Sequence, residues 1–305
     1  GPTVGKIVAK MNYNSRILYI IYISMIIILI IFLLLGGMPL FDACIHAFGT
    51  AGTGGFSCKN TSIGYYNSAY IDYVISIGMI AFGLNFNLFY LLILGNIKQV
   101  FKSEEARYYL SIIFIATTLI CINIRPLYSS ISRMIRDVFF TVSSIITTTG
   151  FSTVDFDKWP TFSKTILMFL MFCGACAGST AGGFKVSRFV ILIKKFVREF
   201  KKIGHPNKVL NIKLEGKTLD KEMLEGVDSY FILYSVILFI LLLITAWESD
   251  TFITALSAVL ATFNNIGPGF GAVGPTSNFA VYSPLTKIVL SLGMLLGRLE
   301  IIPLL

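Results

Sequence analysis

The chain has 305 residues, 55% of them apolar and 13% charged, with a net charge of +9. A soluble domain carries about twice that share of charge, so the composition excludes one. It implies an all-α polytopic membrane protein with the bilayer as its solvent.

Six apolar runs approach or exceed the ~20 residues needed to cross a bilayer. Full spans are expected over residues 17–35, 71–94, 108–124, 162–193, 230–247 and 283–305. Three shorter apolar stretches interleave with them and follow one plan. They read FDACIHAFGTAGTGGFS (41–57), RDVFFTVSSIITTTGFS (136–152) and ITALSAVLATFNNIGPGFG (253–271). Asp42, Asp137 and Thr254 are read as N-caps, and each stands 13 residues before a glycine, Gly55, Gly150 or Gly267. The stretches are too short to span and are read as re-entrant helices.

A helix that enters a membrane halfway and returns as a glycine-bearing loop is how cation filters are built. A dehydrating cation needs oxygens that replace its water, and backbone carbonyls supply them where no side chain intrudes. Gly55, Gly150 and Gly267 are the expected filter glycines, with carbonyls added by Thr53 and Gly54, Thr148 and Thr149, and Asn265 and Ile266. In the first loop Gly54 is an alternative register. Each short helix would aim its partially negative C-terminal end at the cation. Ordinary turn glycines are the plainer reading of any one loop; three in register argue against it.

The fourth span carries Gly174, Gly178, Ser179, Thr180, Gly182 and Gly183 at its centre, a poor helix interior. Irregular backbone at that depth must be buried in protein or line water. Close helix packing on small residues is the alternative. Cys173 and Cys176 form a CxxC without other soft ligands nearby and are read as packing residues. Asn85 and Asn87 are expected to hydrogen-bond between helices. Arg298 and Glu300 lie in the last span, where charges face a cavity or snorkel to the interface.

The charges fall unevenly. If the spans alternate, segments 1–16, 96–107 and 185–221 share a face and hold 17 of the 25 Lys and Arg, against 7 on the other face. That bias sets the basic face in the cytoplasm and argues against a nucleic-acid partner. The basic run 194–208 suits anionic lipid heads. His46 and His205 are far apart in the chain and make neither a metal site nor a triad.

GACAGSTAGGFKVSR (174–188), TFNNIGPGFG (262–271) and MLLGRLEIIPLL (294–305), with ITTTGFSTVDFDKWP (146–160) and the FDA…GGFS segment, resemble the signature stretches of TrkH-type potassium transport proteins. That superfamily also includes KtrB and the plant HKT transporters. The resemblance covers essentially the whole chain. It implies four repeats of span, pore helix, filter loop and span around one pore. Residues 1–99 would be the second repeat, 100–208 the third and 209–305 the fourth, truncated, so the chain is expected to be a fragment of a longer protein. The resemblance further implies that the Gly-rich segment is an intramembrane gate below the filter and that Arg298 reaches into the pore against it. It implies potassium as the transported ion, no bound cofactor and no enzymatic activity, a homodimer in the plasma or inner membrane, and a cytosolic nucleotide-binding regulatory subunit of the TrkA or KtrA type. A sodium-permeable or sodium-coupled transporter of the same fold is the alternative. A broken-helix solute transporter would predict inverted repeats, and an intramembrane enzyme would need a nucleophile–base pair within the spans; the sequence offers neither.

Overall fold

The structure is a computed structural model that describes residues 4–204 and 210–299, with side chains from residue 16 onward. Glu300, His205 and the end of the sixth expected span lie outside the described residues. Twelve α-helices and one two-residue-per-strand hairpin make up the described chain.

Helix α1 (Val4–Leu35) is a long apolar rod that ends at a glycine pair, Gly37 taking φ +82°. A short helix α2 (Leu40–Ala51) returns from it, and α3 (Ala69–Phe82) and α4 (Phe86–Ile93) follow. These first helices share one core, in which Leu33, Ala47, Ile75 and Met79 are fully buried. The next group begins with α5 (Ile97–Lys102) and the long α6 (Glu104–Ile124). It continues through α7 (Ile131–Ile146), α8 (Thr161–Cys173) and α9 (Val186–Gly204). Its core joins Ile120, Val142 and Leu167 to Ile266 and Phe270 of the final group. That final group holds α10 (Lys221–Ala246), α11 (Phe252–Phe263) and α12 (Pro284–Arg298), packed around Tyr234, Phe263 and Leu290. Between the second and third groups, β1 (Lys213–Leu214) and β2 (Lys217–Thr218) pair antiparallel through a Glu215–Gly216 turn.

The outward faces of α1, α6 and α10 are apolar. Ile23, Ile27 and Ile31, then Phe114 and Ile122, then Ile232, Phe239 and Leu243 are all exposed. Such contiguous apolar surface suits lipid rather than water. Helices α1, α6 and α10 are each long and apolar enough to cross a membrane.

Two of the other expected spans are interrupted, while the described part of the sixth is the single helix α12. The run 71–94, expected as one span, is α3 and α4 meeting at a 94° bend. Gly83 closes α3, and the Asn85 side chain accepts from the Asn87 N–H at 2.9 Å to start α4, so Asn85 caps its own helix. The run 162–193 is α8, an irregular Gly-rich segment, then α9, as the glycines foretold.

The expected caps are corrected as well. Asp42, Asp137 and Thr254 are not N-caps: Pro39, Ser130 and Thr251 hold those positions. Ser130 accepts from the Arg133 N–H and Thr251 from the Thr254 N–H, so α7 and α11 start earlier than the glycine spacing alone suggested. The three expected residues are instead equivalent buried positions within their helices. Asp42 ties α2 to the chain beyond its loop, accepting from Tyr66 Oη at 2.6 Å and pairing with Lys59 at 3.1 Å.

Candidate functional site

The three short helices α2, α7 and α11 end in the same turn. Thr53, Thr148 and Asn265 take left-handed φ values of 49°, 55° and 57°. Two residues on, Gly55, Gly150 and Gly267 take +64°, +86° and +106°. The backbone bonding repeats too. Gly54 and Gly55 N–H both donate to the Gly49 carbonyl, at 2.8 and 3.4 Å. Thr149 and Gly150 donate to Ser144 at 2.9 and 3.3 Å, and Ile266 and Gly267 to Ala261 at 2.7 and 3.2 Å. Gly55, rather than Gly54, thus matches Gly150 and Gly267 in φ and in backbone bonding.

Every N–H in these turns is therefore drawn back toward its own helix. Among the described residues, the carbonyls of Thr53, Gly54, Thr148, Thr149, Asn265 and Ile266 accept no hydrogen bond. Thr53, Thr148, Thr149 and Ile266 are buried. Buried carbonyls are normally paired, so three sets of unspent oxygens in protein interior suit a ligand that takes oxygens.

Neighbouring turns touch. A Cβ on Gly55 would lie 1.9 Å from the Thr149 carbonyl oxygen, and one on Gly150 1.8 Å from that of Ile266. Both positions thus require glycine twice over, for φ and for space.

Each helix also braces the chain leaving its turn, a feature the sequence reading missed. His46 Nε2 lies 2.8 Å from Ser57 Oγ while its Nδ1 meets the Asp42 carbonyl at 2.7 Å. Ser144 Oγ donates to the Phe151 carbonyl at 2.6 Å, and Ser257 Oγ accepts from the Phe270 N–H at 2.9 Å. His46, Ser144 and Ser257 are all buried. No periodicity marks them: they stand 11, 7 and 13 residues before their partners.

The Gly-rich segment between α8 and α9 meets all three turns. Thr53 Oγ1 lies 3.0 Å from the Thr180 carbonyl, and Gly182 N–H donates to Thr148 Oγ1 at 2.7 Å. A Cβ on Gly182 would stand 2.4 Å from the Asn264 carbonyl. Gly174, Gly178 and Gly183 have φ of +68°, +70° and +80°. The same segment explains the 94° bend. Cys176 N–H donates to the Gly83 carbonyl at 3.1 Å, and Phe86 N–H to the Gly178 carbonyl at 3.2 Å. The backbone groups freed by breaking the span are thus satisfied by the segment that enters the break. Ser179 Oγ turns inward to the Cys176 carbonyl at 2.6 Å. Cys173 and Cys176 are free and buried, Cys176 within the segment and Cys173 at the end of α8.

Arg298 departs from its expected partner. Its guanidinium donates to the Gly52 carbonyl at 3.0 Å and Thr53 Oγ1 at 3.3 Å, at the C-terminal end of α2. Among the described residues, its hydrogen-bond partners are these two, and neither belongs to the Gly-rich segment. A cation at a helix C-terminus is favoured by the exposed carbonyls and the dipole. Arg298 reaches that position because α12 crosses close to α11 at Gly297, where a Cβ would lie 1.7 Å from the Phe263 carbonyl. Arg298 and the Gly-rich segment therefore converge on one hydroxyl, that of Thr53.

Two carboxylates beyond the turns, Asp157 and Glu248, are ion-paired or hydrogen-bonded. Burial pushes the Asp157 carboxyl up, but the Lys164 ammonium 2.8 Å away and the Gly271 N–H outweigh it and hold it below the usual range. Glu248 is lowered by the Ser283 hydroxyl and N–H, which donate to it at 2.6 and 2.8 Å.

This arrangement has relatives. The profile of the TrkH family, described as cation transport proteins, matches residues 3–127 and 112–305. The chain is 36% identical over 307 residues to the Trk system potassium uptake protein TrkH of Salmonella typhimurium, covering 99% of this chain and 62% of that one. It is 35% identical over 302 residues to TrkG of Escherichia coli, covering 98% and 61%. The crystal structure of the potassium transporter TrkH from Vibrio parahaemolyticus superposes with a TM-score of 0.89 at 32% identity, covering 97% of this chain and 64% of that chain. The chain thus spans less than two thirds of the length of these relatives. Matched along its whole length in sequence, and along 97% of it in structure, the chain belongs to the TrkH family of cation transport proteins.

Proposed function

We propose that this chain is the greater part of the pore-forming subunit of a potassium uptake system, and that its three turns are three filters around one ion path. The observation that carries this reading is the set of unspent carbonyls on Thr53, Gly54, Thr148, Thr149, Asn265 and Ile266, presented by three turns of one geometry. Such oxygens replace the hydration shell of a potassium ion, and Gly55, Gly150 and Gly267 let the backbone approach without side chains. The negative ends of α2, α7 and α11 favour the cation further. The names of the relatives, potassium uptake proteins and a potassium transporter, support the choice of ion.

In this reading residues 1–99, 100–208 and 209–305 are three successive repeats of span, pore helix, filter and span. The Gly-rich segment, with Gly174, Gly178, Ser179, Thr180, Gly182 and Gly183, is the gate, because it lies against all three turns and would bar an ion leaving them. Arg298 fixes a positive charge beside the same hydroxyl and raises the barrier to a cation. The site works by binding and release, without covalent chemistry. The basic segments face the cytoplasm of the cell membrane. The uptake system acts as a homodimer with a cytosolic nucleotide-binding subunit of the TrkA or KtrA type, in keeping with the word "system" in the relatives' names.

The test is potassium against sodium flux in liposomes carrying the full-length gene product. Clear preference for potassium is expected. Equal or greater sodium flux would move the protein to the sodium-permeable branch of the same fold, and absence of cation flux from folded protein would overturn the reading.

A further inference from the structure

The Gly-rich segment is held at its flanks as well as at its tip, and one flanking bond on each side ends on the same carboxylate. Glu105, in the first turn of α6, is buried. Its Oε1 accepts from the Ala177 N–H at 2.7 Å and the Ser187 N–H at 3.1 Å. Those two groups stand on either side of Gly178–Gly183, so one side chain pins both ends of the loop. A buried charged acceptor with two N–H donors makes stronger bonds than a neutral one.

Glu105 is in turn fixed from outside. Glu215, at the turn of the β1–β2 hairpin, accepts from the Glu105 backbone N–H and from Ser103 Oγ, both at 2.9 Å. It reaches there with a left-handed φ of 50°, beside Gly216 at +75°. The hairpin also grips the far flank of the loop. Lys194 of α9 donates to the Lys213 carbonyl at 2.7 Å and pairs with Glu104. A cavity of about 770 Å³ lies beside the hairpin, lined by Asn85, Glu105, Glu215 and Gly216 among others. Asn85 is the residue that Gly178 faces.

We propose that Glu105 is the positioning residue of the gate, and that the 213–218 hairpin, acting through Glu215, sets how firmly Glu105 holds the Gly-rich segment under the filters. A force on the hairpin would pass through Glu215, the start of α6 and Glu105 to residues 177 and 187. From there it would reach Gly182 and its bond to Thr148. The pathway is a continuous set of hydrogen bonds between one exposed element and the loop. This rests on the proposed potassium pathway and adds to it the element through which a cytosolic partner would act.

The experiment measures potassium and sodium flux per folded protein for the full-length product in liposomes, with Glu105→Ala, Glu105→Gln, Glu215→Ala and the Glu105→Ala/Glu215→Ala double variant. Glu105→Ala should raise potassium flux at least about fivefold, the lower end of typical coupling between sites, with the potassium-to-sodium ratio unchanged. Glu105→Gln keeps an acceptor oxygen and should stay much closer to the unsubstituted protein. Glu215→Ala should raise flux in the same direction by less, and the double variant should not exceed Glu105→Ala alone. A residue that merely supported the fold would lower flux and folded protein together. Unchanged or lower flux per folded protein in both single alanine variants would overturn the proposal, as would raised flux with a collapsed ion ratio. If Glu105→Ala does not fold, the exposed Glu215→Ala decides alone. Absence of potassium flux from the unsubstituted protein would instead overturn the underlying functional reading.

Discussion

The filter turns and the Gly-rich segment are both irregular, glycine-bearing and buried, yet they are held in opposite ways. Each filter turn is self-supporting: its N–H groups return to a carbonyl of its own helix, and its outgoing chain is braced from that helix by His46, Ser144 or Ser257. The Gly-rich segment borrows many of its supports, from Thr53, Thr148, Gly83, Phe86 and Glu105 on four other elements or loops. A structure that closes its own hydrogen bonds keeps its shape when its surroundings shift. One that depends on others moves when any of them moves. Rigidity suits selection among ions, and dependence suits gating.

Substitutions should separate the two. The largest effect is expected from Gly150→Ala, which forces φ +86° on a non-glycine residue and drives a Cβ into the Ile266 carbonyl. Backbone strain and overpacking together should cost about 2 to 6 kcal/mol. Folded yield or potassium selectivity in flux assays should be lost outright; a selective, folded Gly150→Ala protein would break the comparison. Gly178→Ala imposes similar strain, but its Cβ would meet only the movable Asn85 amide, 3.2 Å away. The cost of about 1 to 3 kcal/mol falls on the closed gate, so flux should rise while the ion ratio stays. Deleting residues 178–183 should act in the same direction, and normal gating after that deletion would return the segment to mere packing.

Smaller effects sharpen the picture. Ser144→Ala removes the brace to Phe151 and should lower thermal stability by about 0.5 to 1.5 kcal/mol, read as a melting shift, with a measurable fall in selectivity. The smallest concerns the outer rim. Asp157 is held below the usual carboxylate range in the folded state, so its contribution is present above that range and is lost as pH falls below about 4. Asp157→Asn should flatten that acid limb of a melting-temperature profile and lower the melting temperature near neutral pH, where the contribution is present.

The sequence carried much of this and omitted an identifiable remainder. The three equivalent glycine turns were legible because a spacing repeated three times cannot arise from one local accident. The Gly-rich break was legible because glycine, serine and threonine cannot continue an apolar helix. The bend at Gly83 was not legible, because its cause lies 93 residues away in Cys176, whose N–H takes the freed Gly83 carbonyl. The caps were misplaced because Asp42 and Asp137 are good capping types that the fold uses inside their helices instead, Asp42 for ties to the chain beyond its loop and Asp137 for pairs with Arg133 and Arg136. Arg298 was recognised as a charge within a span, but its partner at Gly52 is 246 positions away and follows from the close crossing of α12 and α11. Local chemistry was readable; pairings across the bundle were set by tertiary packing.

Arg298 joins the two regions, since it donates to the end of α2 while Thr53 meets the Gly-rich segment. The most direct test is therefore the potassium-to-sodium flux ratio of Arg298→Ala in the full-length protein, measured together with total flux. A rise in flux at an unchanged ratio is predicted, because a barrier charge is removed while the filters keep their own support. Unchanged or lower flux, or a ratio that collapses, would contradict the separation of filter from gate.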